Sequence, residues 1–197
     1  MTAVVERRET VPNPYLEGPF APIDTEITVD CEVFGELPTD LAGVFVRNGS
    51  NPKYSPPGRY HWFDGDGMLH ALHLENGHAV YRNRYVATDA LAAEKEAGEA
   101  IWSGVNEPPN FSRPGGPFKD TANTDLVFHR GRLLALWWLS SPCYEIDAAS
   151  LETVGRYDFD GTLPSLTAHP KLDPVTNELI VLLRRAAAVS HVRRRRG

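Results

Sequence analysis

An all-β fold, with successive hairpins set as the blades of a β-propeller, is what this sequence predicts, and three observations lead there. Residues 68–74 and 78–86 alternate apolar and polar side chains on either side of Asn76-Gly77, a strong hairpin turn signal. The same plan returns in residues 124–129 and 132–139 around Arg130-Gly131, and again in 143–147 and 152–156 around residues 148–151. Units that repeat strand, turn and strand before passing to the next unit suit packing around an axis better than two facing sheets, so a sandwich is the structural alternative.

The remaining elements punctuate these hairpins. Residues 13–22 are rich in proline and turn formers, which predicts an extended arm on the surface and not a helix. Residues 88–98 have helix-forming composition, with Asp89 near the start and Gly98 near the end, and predict one short helix. The proline- and glycine-rich residues 103–117 read as a loop. Along the chain this gives a disordered N-terminus at 1–12, a partial propeller domain at 13–180, and a tail of different character at 181–197.

Composition bounds the function. A chain of 197 residues that is 42% hydrophobic and 10% aromatic has the means to bury a core. The net charge is -6, and Arg184, Arg185 and Arg193 to Arg196 hold six of the twenty basic residues, so no basic face is spread over the body and nucleic acid is a poor partner. Cys31 and Cys143 are widely separated, which gives no disulfide framework and fits the reducing cytoplasm. No signal peptide and no stretch of membrane-spanning length is present, which leaves room only for a peripheral membrane contact. No obligate protein partner is evident.

Function rests on His169, which follows Thr167-Ala168 and precedes Pro170-Lys171. Placed at a strand end, its imidazole would be held rigidly and aimed inward, as a ligand for a first-row metal must be. A lone histidine is more often a hydrogen-bonded core or turn residue, but this one has company. Arg47-Asn48-Gly49-Ser50-Asn51-Pro52, the run from Tyr60 to His70, the run from Tyr81 to Val86, Thr121-Ala122-Asn123-Thr124, Asp158-Phe159-Asp160-Gly161 and Thr167-Ala168-His169-Pro170-Lys171 follow one another in order. In these motifs the chain resembles the carotenoid cleavage oxygenases, the carotenoid and lignostilbene dioxygenases, over residues 13–180.

The resemblance implies a seven-bladed β-propeller with a non-haem Fe(2+) on its axis, held by four histidines from different blades. It implies cleavage of a carbon-carbon double bond by O2 into two carbonyl products, with a carotenoid or apocarotenoid as substrate. A stilbene substrate, or a propeller that binds without catalysis, is the alternative. His169 matches the first iron ligand, while the other three ligands and their orienting carboxylates belong to later blades that this chain does not contain. The resemblance therefore covers the first blades only, an N-terminal fragment without activity of its own. In the stilbene-cleaving branch a tyrosine and a lysine bind the substrate's phenol oxygen, and Tyr85 and Lys119 lie in the matching neighbourhoods.

Other candidates have structural readings. His61, His70, His73, His78 and His129 read as surface or packing groups on half-exposed strands. Asp64-Gly65-Asp66-Gly67 opens like a calcium loop, but Met68 takes the third acidic position and no glutamate closes it, so a turn is expected. Arg47-Asn48-Gly49 reads as a turn with close backbone approach. Trp62, Trp137 and Trp138 suit an apolar tunnel or, more commonly, core.

After Ile180 the sequence changes character and ends in arginines, which would ordinarily suggest a nucleic-acid or membrane-surface tail. A different origin fits better. Synonymous codons can be chosen for the tail such that removal of one base yields Phe-Phe-Tyr-Gly-Ala-Arg-Pro-Pro-Tyr-Leu-Thr-Tyr-Gly-Val, which continues residues 178–180 as a strand, a proline turn and a second strand. A single-nucleotide slip after Ile180 is therefore expected, and with it an unclosed propeller of poor solubility, because open sheet faces and edges meet water.

Overall fold

The computed structural model describes residues 13–185 and 188–193. The disorder expected at 1–12 and the last residues of the tail, 194–197, lie outside them. The first sheet contains β1 (Thr28–Asp30), β2 (Gly43–Ser50), β3 (Gly67–Glu75) and β4 (His78–Tyr85) in the order β1-β4-β3-β2. The second contains β5 (Asp125–His129), β6 (Arg132–Leu136), β7 (Cys143–Ile146) and β8 (Thr153–Tyr157) in chain order. The third pairs β9 (Lys171–Leu172), β10 (Leu179–Arg185) and β11 (Ala188–Arg193) in the order β11-β10-β9. All pairings are antiparallel.

Local chemistry explains the hairpins. Asn76 and Gly77 have φ of 51° and 78°, and Arg130 and Gly131 have φ of 50° and 79°. Two successive left-handed residues match the right-handed twist of the flanking strands, which is why these turns close two-residue hairpins. Between the first two sheets α1 (Asp89–Ala97) forms as expected. The Thr88 side chain accepts from the Leu91 N–H, and Gly98 at φ 74° returns its N–H to the Glu94 carbonyl.

The sheets pack face to face in series. Leu69 and Ala71 of the first sheet, with Val86 just past β4, meet Leu133, Ala135, Tyr144 and Ile146 of the second. The opposite face of the second sheet, with Leu134, Leu136 and Cys143, meets Leu163, Leu166, Ala168, Leu179 and Val181. Each fully buried leucine contributes about 1.5–3 kcal/mol by leaving water, so these two layers hold three blades in sequence. β2 and β5 are neighbours at the matching edges of their sheets.

Three expectations are corrected. The arm at 13–22 is not continuously extended: Pro14–Leu16 and Gly18–Phe20 are 3-10 turns, started by prolines and by the Asn13 side chain, which accepts from the Tyr15 N–H. Arg47, Asn48 and Gly49 are not a turn but lie inside β2, paired with His70, Leu69 and Met68. His169 does not sit at a strand end; it lies in irregular backbone before β9 with φ 62°. The chain also runs through Ile180 without a break in β10, and β11 pairs with it from Ile180↔Arg193 to Arg185↔Ala188.

Candidate metal and substrate site

Three of the sequence motifs converge on one hydrogen-bonded junction between the first two blades. Asn48 Nδ2 donates to the Ala122 carbonyl at 2.7 Å, and Asn123 Nδ2 donates to the Gly65 carbonyl at 2.7 Å and to that of Phe63 at 3.1 Å. The Gly67 N–H donates to the Thr121 carbonyl at 2.8 Å. A Cβ on Gly67 would stand 2.7 Å from the Ala122 oxygen, so only glycine admits this approach. The amide side chains are thus spent on backbone groups, which positions the Thr121–Thr124 run and the start of β5.

His169 is fixed from the same junction. The Ala168 N–H donates to the Trp137 carbonyl at 3.0 Å and the Thr167 N–H to that of Leu182 at 3.2 Å, which staples the loop to β6 and β10. The His169 N–H donates to Asp125 Oδ2 at 3.0 Å, and His169 Nδ1 lies 3.2 Å from the same oxygen. The imidazole side chain is 66% exposed while Asp125 is 30% exposed. Asp125 opens β5, and Thr124 beside it accepts the Trp138 N–H at 3.1 Å. Among the described residues no three His, Cys, Asp or Glu side chains cluster to hold a metal, so His169 fits one position of an iron site and the described residues do not complete it.

The two residues assigned to a phenolic substrate lie apart in function. Tyr85 is buried, accepts from Asn51 Nδ2 at 2.6 Å and donates to the Ile23 carbonyl at 3.0 Å. Burial, with Asp66 close by, pushes its hydroxyl well above the ordinary tyrosine range. Lys119 Nζ lies 2.5 Å from Glu94 Oε2 and 2.7 Å from Asp66 Oδ1, and its side chain is only 10% exposed. Lys119 also lines a cavity of about 30 Å³ with Tyr60, Phe63, Trp102 and Trp137, a group that does not include Tyr85. Asp64 lines it too, and burial raises its carboxyl above the usual carboxylate range.

A larger space of about 380 Å³ lies on the other side of Trp102, Phe118 and Trp137, between α1 and the second blade. The aromatic residues read as tunnel or core thus divide. Trp137 lines both cavities, Trp62 packs against Tyr15 and Phe20, and Trp138 tilts over Phe63 at 5.4 Å. Trp102 and Phe118 were not singled out from sequence; their positions flanking the proline- and glycine-rich loop 103–117 are the signal that could have found them.

The histidines expected to be structural have packing partners or lie on strands. His70 Nδ1 is 2.7 Å from the Tyr81 hydroxyl, and His129 Nε2 is 3.1 Å from the Asn177 carbonyl. His61 caps a 3-10 turn at Trp62–Asp64 by accepting the Phe63 N–H, so the acidic run begins in this turn and its Gly67 opens β3.

The fold is one shared with propeller enzymes. The family model described as retinal pigment epithelial membrane protein matches residues 20–194, and the chain belongs to that family, the carotenoid cleavage oxygenases. A carotenoid cleavage oxygenase of Mycobacterium tuberculosis is 46% identical over 171 residues, covering 85% of this chain and 32% of the relative. The carotenoid 9,10(9',10')-cleavage dioxygenase 1 of Arabidopsis thaliana is 40% identical, covering 86% and 36%. The resveratrol cleavage oxygenase 1 of Aspergillus fumigatus is 42% identical, covering 76% and 30%. Among solved structures, the lignostilbene dioxygenase of Pseudomonas brassicacearum superposes with a TM-score of 0.77 at 35% identity, covering 88% of this chain and 38% of that one. The apocarotenoid oxygenase of Synechocystis gives 0.68 at 28% identity, covering 82% and 38%. The chain spans about a third of the length of the curated relatives it matches. Its three sheets are blades of the propeller these enzymes share.

Proposed function

We propose that this chain is the first part of a non-haem iron dioxygenase that cleaves a carbon-carbon double bond of a carotenoid or apocarotenoid. The observation that carries the reading is His169, whose backbone N–H is held on Asp125 at the meeting of the second and third blades while its imidazole is two-thirds exposed. Ferrous iron, when bound, would supply the activation of O2 that an organic side chain cannot. The chain's own part is to present one imidazole from a stapled loop and to contribute Trp102, Phe118 and Trp137 to the walls of the neighbouring cavities. The described residues offer one ligand of the four, so the proposed activity requires the remaining ligands of a complete propeller. Among the described residues no helix is long and apolar enough to cross a membrane. With two free cysteines, the cytoplasm is the compartment we favour.

The test is the product of a frame-corrected gene. It should contain iron and convert an apocarotenoid with O2 into two carbonyl products, and His169→Ala should lose both the metal and the conversion. Full iron content in His169→Ala would remove the ligand assignment, and an iron-free product that binds polyenes unchanged would favour a binding module instead.

A stilbene substrate is the second reading, favoured by the likeness to the lignostilbene dioxygenase and by Lys119 on a cavity wall. Here Lys119 would have to share its ammonium between a phenol oxygen and the carboxylates of Glu94 and Asp66. Cleavage of a hydroxystilbene at an unchanged rate per folded molecule in Lys119→Ala would rule that role out.

A further inference from the structure

We propose that the cavity of about 380 Å³ between α1 and the second blade is a binding site for a neutral, apolar alcohol, whose hydroxyl accepts the indole N–H of Trp137 and donates to the carboxylate of Asp120. The site does not depend on the ligand role of His169.

Two unspent polar atoms belong to the wall of this one cavity. Trp137 is 6% exposed, and its Nε1 is buried without a hydrogen-bond partner among the described residues. The same holds for Oδ1 of Asp120. Both residues line the cavity. The other indole on the wall is already engaged, since Trp102 Nε1 donates to the Gly116 carbonyl at 3.1 Å. Asp120 Oδ2 accepts from the Tyr144 hydroxyl at 3.3 Å, which ties the carboxylate to β7 and leaves Oδ1 as its unspent oxygen. Burying a donor and an acceptor without partners is costly, so a fold that keeps one of each on the same cavity wall has a use for a group that satisfies both. Ser140, on the same wall, holds a φ of 94°, a strained backbone of the kind that gathers at ligand-binding places.

The pairing of one donor with one acceptor selects the ligand. An ammonium would satisfy Asp120 but turn its own protons toward the Trp137 N–H. A carboxylate would satisfy Trp137 but meet the charge of Asp120. A hydroxyl accepts from the first and donates to the second, which is the arrangement that neither ion can match. Arg156, also on the wall, does not change this balance, because its guanidinium is paired with Asp89. The remaining wall is largely apolar, with Phe118, Trp102, Pro142 and Ala93, and the volume falls in the range of small-molecule sites. A compact hydrocarbon ring carrying one hydroxyl fits that description.

The test uses three probes that differ in one group, 2-indanol, indane and 2-aminoindane, titrated into the 197-residue chain at neutral pH by ligand-observed saturation-transfer NMR. 2-Indanol should bind saturably and about ten-fold more tightly than either of the others. Trp137→Phe keeps the aromatic wall and removes the N–H; it should bring 2-indanol down to the affinity of indane while indane itself binds as in the wild type. Ala93→Phe fills the cavity from a half-buried position on α1 and should abolish binding of all three probes. Equal binding of 2-indanol and indane, or no saturable binding of 2-indanol, would mean that the cavity holds only water and would overturn the proposal. Tighter binding of 2-aminoindane would overturn it in favour of a cation site. Undiminished binding of 2-indanol in Ala93→Phe would place the ligand elsewhere and overturn it as well.

Discussion

Lys119 Nζ lies 2.5 Å from Glu94 Oε2, and through this contact the helix α1 is bolted to the base of the first blade, because the same ammonium is 2.7 Å from Asp66 Oδ1. Glu94 and Asp66 are each 1% exposed. Glu94 Oε1 also accepts the Ile101 N–H at 2.9 Å, so the carboxylate ties down the chain leaving the helix as well. Removing one partner leaves a buried charge uncompensated, at a cost of about 3–5 kcal/mol. Lys119→Met, which leaves the buried Glu94 and Asp66 carboxylates without their shared ammonium, is therefore expected to lower the urea midpoint sharply, and Glu94→Gln in the Lys119→Met background should recover part of the loss.

Asp120 makes stability depend on pH in an unusual direction. Burial pushes its carboxyl up to about 6, against hydrogen bonds to Ser141 and Tyr144 that pull it down. A folded value above the unfolded one means that the native state binds the extra proton between about 4 and 6. Stability should then fall as pH rises through that window, by on the order of 3 kcal/mol from this group. Thermal melts of wild type and Asp120→Asn across the window check it: the asparagine variant should lose this component of the slope and gain stability at neutral pH.

Thr88 should be a measurable cap. Its side chain takes the Leu91 N–H at 3.0 Å while the residue itself is buried, so no water replaces the acceptor. Thr88→Ala should cost about 1 kcal/mol, with Thr88→Ser close to wild type in the same denaturant titration.

The outer face of the first sheet should drive self-association. Phe45 and Leu72 are 64% and 37% exposed, and together with Arg47, His70 and Tyr81 they line an apolar recess of about 310 Å³. Phe45→Lys with Leu72→Lys should reduce aggregation seen by light scattering without altering the far-ultraviolet spectrum. Unchanged association would place the sticky surface elsewhere.

The tail can be decided at the level of DNA. Residues 181–185 and 188–193 do form paired strands, and the family match reaches residue 194. Sequencing from the Thr167 codon past the stop should show a one-base correction that opens a frame carrying further histidine-bearing strands. An intact stop with no such frame would make the 197-residue chain the product as it stands.

Much of the fold was legible because it is written in local chemistry. Asn76-Gly77, Arg130-Gly131, and the pair Thr88 and Gly98 state their turns and caps within a few residues of sequence. β2 was misread for the opposite reason: Arg47, Asn48 and Gly49 carry turn-like side chains, and only pairing with β3 and the reach of Asn48 to Ala122 make them a strand.

The site divides along the same line. By its motifs the sequence alone singled out His169, since residue identity and order survive without coordinates. It did not reveal that Asp125, 44 positions earlier, accepts the backbone N–H of that histidine, or that Lys119 spends its charge on Glu94 and Asp66. Those partners come from different blades and loops. Only the packing of one sheet on the next brings them within hydrogen-bond distance, and sequence spacing holds no record of which edges that packing will join.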